Sequence, residues 1–200
     1  MTVIISESEA QGDALTGQRV AVIGYGNQGR SWALNLRDSG NDVAVCVRAD
    51  PSRDAAEADG FDTCDLEGAN EADVLCVLVP DDVIPTLPLK PRPVAAVIVA
   101  SGYTIAFGRL DPPCDVGMVA PRMLGPEVRR CYLEGIGFIT AVGVHRDVTG
   151  TARARVLAVA KAIGGLRQGA IELTPNQEAV LDLAVEHGLL VGSEFNGALA

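Results

Sequence analysis

The 200-residue chain is short of basic charge, with 16 Lys and Arg against 26 Asp and Glu and a formal net charge of −10. Nonspecific nucleic-acid binding and attachment to anionic membranes both need clustered Lys and Arg facing phosphate. Neither is expected here, which leaves small molecules and protein as partners. No apolar run approaches the roughly 20 residues needed to span a bilayer. Residues 1–16 carry acidic side chains and no apolar core flanked by basic ones, so they read as a frayed lead-in and not as a secretory signal or an anchor. The cysteines Cys46, Cys64, Cys76, Cys114 and Cys131 show no C-x-x-C spacing and mostly sit in apolar runs. Free thiols behave there as small hydrophobes, and a cytoplasmic location is expected. Histidine is scarce too: His145 reads as structural, and His187 follows Glu186 and points away from its carboxylate face.

What the chain has is Val20-Ala21-Val22-Ile23-Gly24-Tyr25-Gly26-Asn27-Gln28-Gly29, an apolar strand that runs into a Gly-x-Gly-x-x-Gly turn. Gly24 permits the tight turn, Gly26 lets the backbone approach a pyrophosphate, and Gly29 lets the next helix pack closely on the strand with its N-terminal N–H groups aimed at the anion. The flanking pattern agrees. A helix is expected over 28–39, Gly40-Asn41 stops it, and the apolar run 43–47 completes a βαβ unit. The alternative is a glycine-rich turn that binds nothing.

Apolar runs alternate with helical stretches along most of the chain, which predicts an α/β fold of Rossmann type: a doubly wound, mostly parallel sheet with helices on both faces. Strands are expected at 19–23, 43–47, 61–63, 74–79, 94–100, 116–120, 137–144 and 170–173, and helices at 28–39, 52–58, 66–69, 82–87, 128–133, 147–163 and 176–190. Asp147 is expected to cap its helix, and the three prolines in 87–93 mark a loop. The dinucleotide-binding domain is placed at 17–173, followed by a C-terminal helix and tail over 174–200. Its Val180, Leu181 and Leu183 suit burial against a second copy or a partner subunit.

In such a fold the end of the second strand meets the adenosine ribose. Arg48, Ser52 and Arg53 offer two guanidinium groups and a hydroxyl, a set suited to the 2′-phosphate of NADPH, provided Asp50 faces solvent; NADH is the alternative. Pro80, Asp81 and Asp82 end the fourth expected strand and line the nicotinamide side of the crevice, with capping of the next helix the alternative role for Asp82. Ser101 and Tyr103 follow the fifth strand and are candidates to donate hydrogen bonds to a carbonyl or imine, or are turn residues only. Asp182 and Glu186 lie four residues apart on one helical face, which reads either as a solvated acidic face or as a pair of ligands for a hard cation.

Several stretches in consistent order resemble the N-terminal domain of the ketol-acid reductoisomerase family. They are the glycine turn with its strand, Ala33-Leu34-Asn35-Leu36-Arg37-Asp38-Ser39-Gly40, Leu78-Val79-Pro80-Asp81, Pro112-Pro113, Val119-Ala120-Pro121, Val128-Arg129-Arg130, Val144-His145-Arg146-Asp147 and Ala162-Ile163-Gly164-Gly165. The resemblance implies NADPH, two Mg²⁺ and reduction with isomerisation of acetohydroxy acids in branched-chain amino-acid synthesis. It makes Asp182 and Glu186 candidate Mg²⁺ ligands and adds Gly125 to the cofactor-binding set. It also shows departures. Ser101 stands where the family has a His before Gly, and Arg122 where it has a Lys followed by Gly-Pro-Gly. Ser is a poor general base near neutral pH, and Arg keeps its proton.

The family continues into a helical domain that supplies further metal carboxylates and a substrate-binding Ser. The chain is therefore expected to be an excised N-terminal domain or a naturally short relative, and the substitutions favour the second. A small-molecule reductase is expected, with Arg122 holding a substrate anion and Ser101 or Tyr103 polarising the accepting group. The alternatives are a non-catalytic NADP-binding module and one subunit of a split enzyme.

Overall fold

A computed structural model describes residues 4–10 and 13–185. Nine strands form one sheet in the order β1-β9-β8-β7-β6-β5-β2-β3-β4. From one edge inward runs a parallel block: β4 (Asp62–Cys64), β3 (Asp42–Cys46), β2 (Arg19–Ile23), β5 (Val74–Val77), β6 (Ala96–Val99) and β7 (Asp115–Pro121). Strands β5 and β6 are buried along their whole length, as strands covered by helices on both faces must be. The chain order reverses where β2 lies between β3 and β5, and this switch point opens a crevice beyond the carboxyl ends of the strands.

Strand β8 (Thr140–Arg146) runs antiparallel to β7, and β9 (Ala170–Glu172) parallel to β8. Beyond them, Ile4–Ile5 form β1, antiparallel to β9, with Ile5 fully buried. Part of the expected lead-in is therefore an edge strand, two residues being too few to show a period in sequence. His145 lies exposed within β8.

Helix α1 (Asn27–Asp38) follows the glycine turn and buries Trp32 and Leu36 completely. Its one fully buried amide, Asn35, donates to the Ile163 carbonyl at 3.0 Å and accepts from Arg129 at 2.8 Å. These bonds tie α1 to α5 (Gly125–Leu133) and to the end of α6 (Ala152–Ala162). Helix α6 begins five residues later than expected. Asp147 does accept from the Ala152 N–H, at 3.2 Å, but across a turn whose Gly150 has φ +78°.

The expected helix at 82–87 is only a 3₁₀ turn, Ile84–Thr86, because Pro85 removes a donor. A four-residue helix α4 (Tyr103–Ala106) and the short α2 (Pro51–Ala58) and α3 (Leu66–Ala69) fill the remaining connections, and α7 (Pro175–Ala184) crosses the carboxyl edge of the sheet. Cys46 and Cys64 stand opposite one another in the β3/β4 register and are joined as a disulfide, a pairing that the expectation of cysteines mostly held as small hydrophobes in apolar runs does not include. Sequence spacing carries no sign of cross-strand neighbours that the topology brings together. The thiols of Cys76, Cys114 and Cys131 are free and buried, and burial pushes Cys76 up to about 12. Among the described residues no helix is long and apolar enough to cross a membrane.

Candidate functional site

The switch-point crevice is a cleft of about 420 Å³ walled by Gly26, Asn27, Gln28, Pro80, Asp81, Ser101, Arg122, Glu178 and Asp182. The glycines divide its construction. A Cβ on Gly24, whose φ is +95°, would lie 2.8 Å from the Leu78 carbonyl oxygen, and one on Gly29 would lie 2.2 Å from the Gly24 oxygen. Both are held by packing. A Cβ on Gly26 would meet nothing within 4 Å, and no side chain caps α1 there. The N-terminus of this three-turn helix thus borders the cleft without a side-chain cap, a setting in which a helix N-terminus receives a phosphate. The residues fit a dinucleotide.

Tyr25 and Gln28, both expected at the cofactor, turn mainly to scaffolding. Tyr25 is buried, packs edge-on against Phe61 with centroids 5.9 Å apart, and donates to Asp59 at 2.8 Å. Burial raises its hydroxyl pKa, and the hydrogen bond from Arg30 holds the Asp59 carboxyl at about 2. Gln28 donates to the Met123 carbonyl at 3.0 Å and accepts from Trp32. Gly125 belongs to the same junction, since a Cβ there would fall 2.1 Å from the Asn27 oxygen. These contacts fix the glycine turn against α5.

At the end expected to meet an adenosine ribose, the Asp50 carboxylate folds back to accept from the Ser52 N–H at 2.9 Å and caps α2. The Arg48 side chain is 92% exposed and 3.8 Å from Asp50. Arg53 donates to the Val47 carbonyl at 2.9 Å, and its buried Nε has no partner among the described residues. The expected trio lies together around the start of α2, with Arg48 the most accessible member.

On the side expected to face a nicotinamide, Ser101 Oγ accepts from the Tyr103 N–H at 3.2 Å. A second hollow of about 350 Å³ continues past Asp82, Tyr103 and Arg109, whose guanidinium sits 5.4 Å over the Tyr103 ring. Asp82 lines this hollow and caps no helix, since Val83 precedes the 3₁₀ turn without a side-chain cap. Arg122 is paired: Nη1 lies 3.0 Å from Glu178 Oε1 and 2.9 Å from Asp182 Oδ1.

Glu178 was not among the residues singled out from sequence. It is 1% exposed, and its Oε2 accepts from the Gly102 N–H at 2.7 Å. One carboxylate thereby joins both departures from the family pattern, the 101–102 loop and Arg122. A Cβ on Gly102 would lie 2.2 Å from the Pro175 oxygen, so α7 rests directly on this loop. The signal was present in sequence: Glu178 stands one turn before Asp182 on the same acidic face. Glu186 lies outside the described residues. Among those described, no group of three or more His, Cys, Asp or Glu is arranged to hold a metal, and Asp182 is already engaged by Arg122. They do not fit Mg²⁺ as they stand.

Burial pushes the Glu178 carboxyl above the ordinary value of 4.5, Asp182 and Asp81 act in the same direction, and the Gly102 N–H and Arg122 oppose them. A carboxyl raised on folding binds its proton more tightly in the folded state, so stability falls as pH rises from 4.5 to the folded value. We expect the melting temperature to decline over that window, and Glu178→Gln to flatten the decline. An unchanged slope in the variant would show that Glu178 is not its source.

The chain matches the family model described as acetohydroxy acid isomeroreductase, NADPH-binding domain, over residues 14–169. It is 48% identical to the ketol-acid reductoisomerase (NADP(+)) of Caldivirga maquilingensis, with 96% of this chain and 61% of the relative covered. It is 42% identical to that of Saccharolobus solfataricus, with 94% and 59% covered. Among solved structures, an NADH-preferring ketol-acid reductoisomerase from an uncultured archean superposes with a TM-score of 0.90 at 35% identity, over 95% of this chain and 62% of that one. An imine reductase from Myxococcus stipitatus, at 17% identity and a TM-score of 0.64, shares the fold alone, over 90% of this chain and 63% of its own. The chain thus spans about 60% of the length of the curated relatives it matches. With the strand order, the glycine turn and the matched residues in agreement, the chain belongs to the ketol-acid reductoisomerase family and corresponds to its dinucleotide-binding N-terminal domain.

Proposed function

We propose that this domain binds NADPH across the β2/β5 crevice and serves as a reductase of small keto acids, ketones or imines, without assigning it the isomerisation. The observation that carries the reading is the open face at Gly26, where an uncapped three-turn helix points at the switch-point cleft. Bound NADPH supplies hydride to the accepting carbon. The chain's own residues do the rest. Gly24, Gly26, Asn27 and Gly29 shape the pyrophosphate cradle, with Tyr25, Gln28 and Gly125 behind it. Pro80, Asp81 and Asp82 wall the nicotinamide side. Arg122 orients a substrate anion, and Ser101, whose oxygen accepts from the Tyr103 N–H, keeps its hydroxyl proton to donate to a carbonyl oxygen or imine nitrogen. Tyr103 is the second donor. Stopped-flow loss of NADPH absorbance across a panel of 2-keto acids, ketones, imines and 2-acetolactate tests this; no turnover with any member contradicts it.

NADPH is preferred over NADH on the guanidinium and hydroxyl groups of Arg48, Ser52 and Arg53, on the Asp50 carboxylate being occupied with its cap, and on the NADP(+) named for two relatives. Arg48 is the exposed group best placed to meet a 2′-phosphate. A charge-assisted hydrogen bond contributes about 1.5–3 kcal/mol, so Arg48→Ala should weaken NADPH binding about tenfold or more and leave NADH binding unchanged. Equal losses for both cofactors would remove Arg48 from phosphate recognition.

A second reading is a module that binds the cofactor while a partner completes the site, and the exposed apolar side chains on α7 favour it. The outward face of α7 carries Val180, 68% exposed, and Leu181, 43% exposed, which we assign to a contact with a second copy or such a partner. Sedimentation should show a dimer that Val180→Glu dissociates. A wild-type monomer leaves only the partner form of this reading.

A further inference from the structure

Asp182 is the described member of the pair that the family resemblance assigns to a divalent cation, yet a side chain already holds it. Arg122 Nη1 spans two carboxylates, Glu178 Oε1 at 3.0 Å and Asp182 Oδ1 at 2.9 Å. The arrangement is anchored on both sides. Glu178 is 1% exposed and fixed at its other oxygen by the Gly102 N–H, and the Arg122 main chain is fixed by its N–H to the Ile139 carbonyl at 3.0 Å. The Arg122 side chain is itself only 23% exposed.

A divalent cation on Asp182 has two ways in, and both are unfavourable. It can displace the guanidinium, which strips a buried glutamate of its counter-charge, or it can bind within a few ångströms of a fixed positive group. A Lys at this place would offer a compact, mobile ammonium, whereas Arg holds its charge under all conditions and bridges two carboxylates with one planar group. Both ion pairs leave from Nη1. The Nε and Nη2 donors make no hydrogen bond to the described residues, and Arg122 lines the cleft.

We propose that Arg122 is the resident cation of this cleft: it occupies the place on Asp182 that a divalent metal would need, and presents its remaining N–H donors to the carboxylate of the substrate. The substrate part rests on the reductase reading above. The metal part does not. A guanidinium in this place binds and orients an anion by charge and hydrogen bonds but does not supply the Lewis acidity of a dication, which accords with hydride transfer to a preformed carbonyl more than with an alkyl migration that needs strong polarisation of two oxygens.

The test uses the full 200-residue chain without cofactor and Mn²⁺ alone as the probe, followed by the electron paramagnetic resonance signal of the free ion. Wild type should bind Mn²⁺ weakly. Arg122→Gln should bind it about tenfold or more tightly, as the released carboxylates become available. The gain should vanish in Arg122→Gln with Asp182→Asn, which locates the ion. Equal affinity in wild type and Arg122→Gln overturns the proposal, whether both bind or neither does, and so does a gain that survives Asp182→Asn. If Arg122→Gln fails to fold, Arg122→Lys keeps a cation beside Glu178 while giving up the two-carboxylate bridge; it should also gain Mn²⁺ affinity, and no gain counts against the proposal. NADPH oxidation measured separately on wild type distinguishes failure of this inference from failure of the reductase reading.

Discussion

Gly26→Val should abolish dinucleotide binding while leaving the fold intact. The residue has φ −80°, a conformation open to any side chain, and a Cβ there would meet no atom within 4 Å. A substitution at such an open site is expected to move stability by only about 0.5 kcal/mol. The space it fills is the one through which the backbone would approach a pyrophosphate, so NADPH affinity should fall on the order of 100-fold. Gly29→Val is the contrasting variant. Its Cβ would stand 2.2 Å from the Gly24 carbonyl oxygen, and α1 would have to move off β2, so the protein itself should unfold. Calorimetry beside a cofactor titration separates the two outcomes. A Gly26→Val protein that binds NADPH like wild type would place the cofactor elsewhere.

Asp115→Ala should lower stability strongly while leaving a folded protein. Asp115 opens β7 with its side chain 1% exposed, and it accepts from the Val148 N–H at 2.7 Å, the Thr149 N–H at 3.0 Å and the Thr149 hydroxyl at 2.6 Å. Arg155, on α6, lies 3.3 Å away with its side chain 12% exposed. Alanine would leave two backbone donors without their acceptor and deprive the largely buried Arg155 of its counter-charge, leaving it, among the described residues, only the Val94 carbonyl at 2.8 Å. Removing one partner of a buried pair costs about 3–5 kcal/mol. For a chain of this size that is a drop in melting temperature on the order of 10 °C. Asp115→Asn, which keeps the shape and one acceptor oxygen, should fall between. A loss of under about 1 kcal/mol for alanine would show that the 147–151 turn is held by other contacts.

Much of the scaffold was legible because its signals are local. The run ending at Ile23 gave β2 with the bounds observed, and the glycine turn gave α1 to within a residue at each end. The parallel block followed from strands apolar throughout. What escaped was short or set by distant partners. Two residues of β1 and four of α4 carry no period, and the delayed start of α6 depends on Asp115 seizing the 148–149 turn from another strand. The Cys46–Cys64 pair and the Arg122–Glu178 contact join residues 18 and 56 positions apart. At the site, residue types were readable but commitments were not. Sequence offered Gln28 to the cofactor, Asp50 to solvent, Ser101 as a donor or a turn residue and Asp182 as a solvated or cation-binding carboxylate; Gln28 donates to Met123, Asp50 caps α2, Ser101 receives the Tyr103 N–H and Asp182 pairs with Arg122.

The most direct measurement is titration of the unmodified chain with NADPH and NADH, read by nicotinamide fluorescence. Saturable binding of NADPH, tighter than that of NADH and lost in Gly26→Val, is the result expected if the cleft at the switch point is a working cofactor site. Failure of both cofactors to bind the folded chain at millimolar concentration would contradict it.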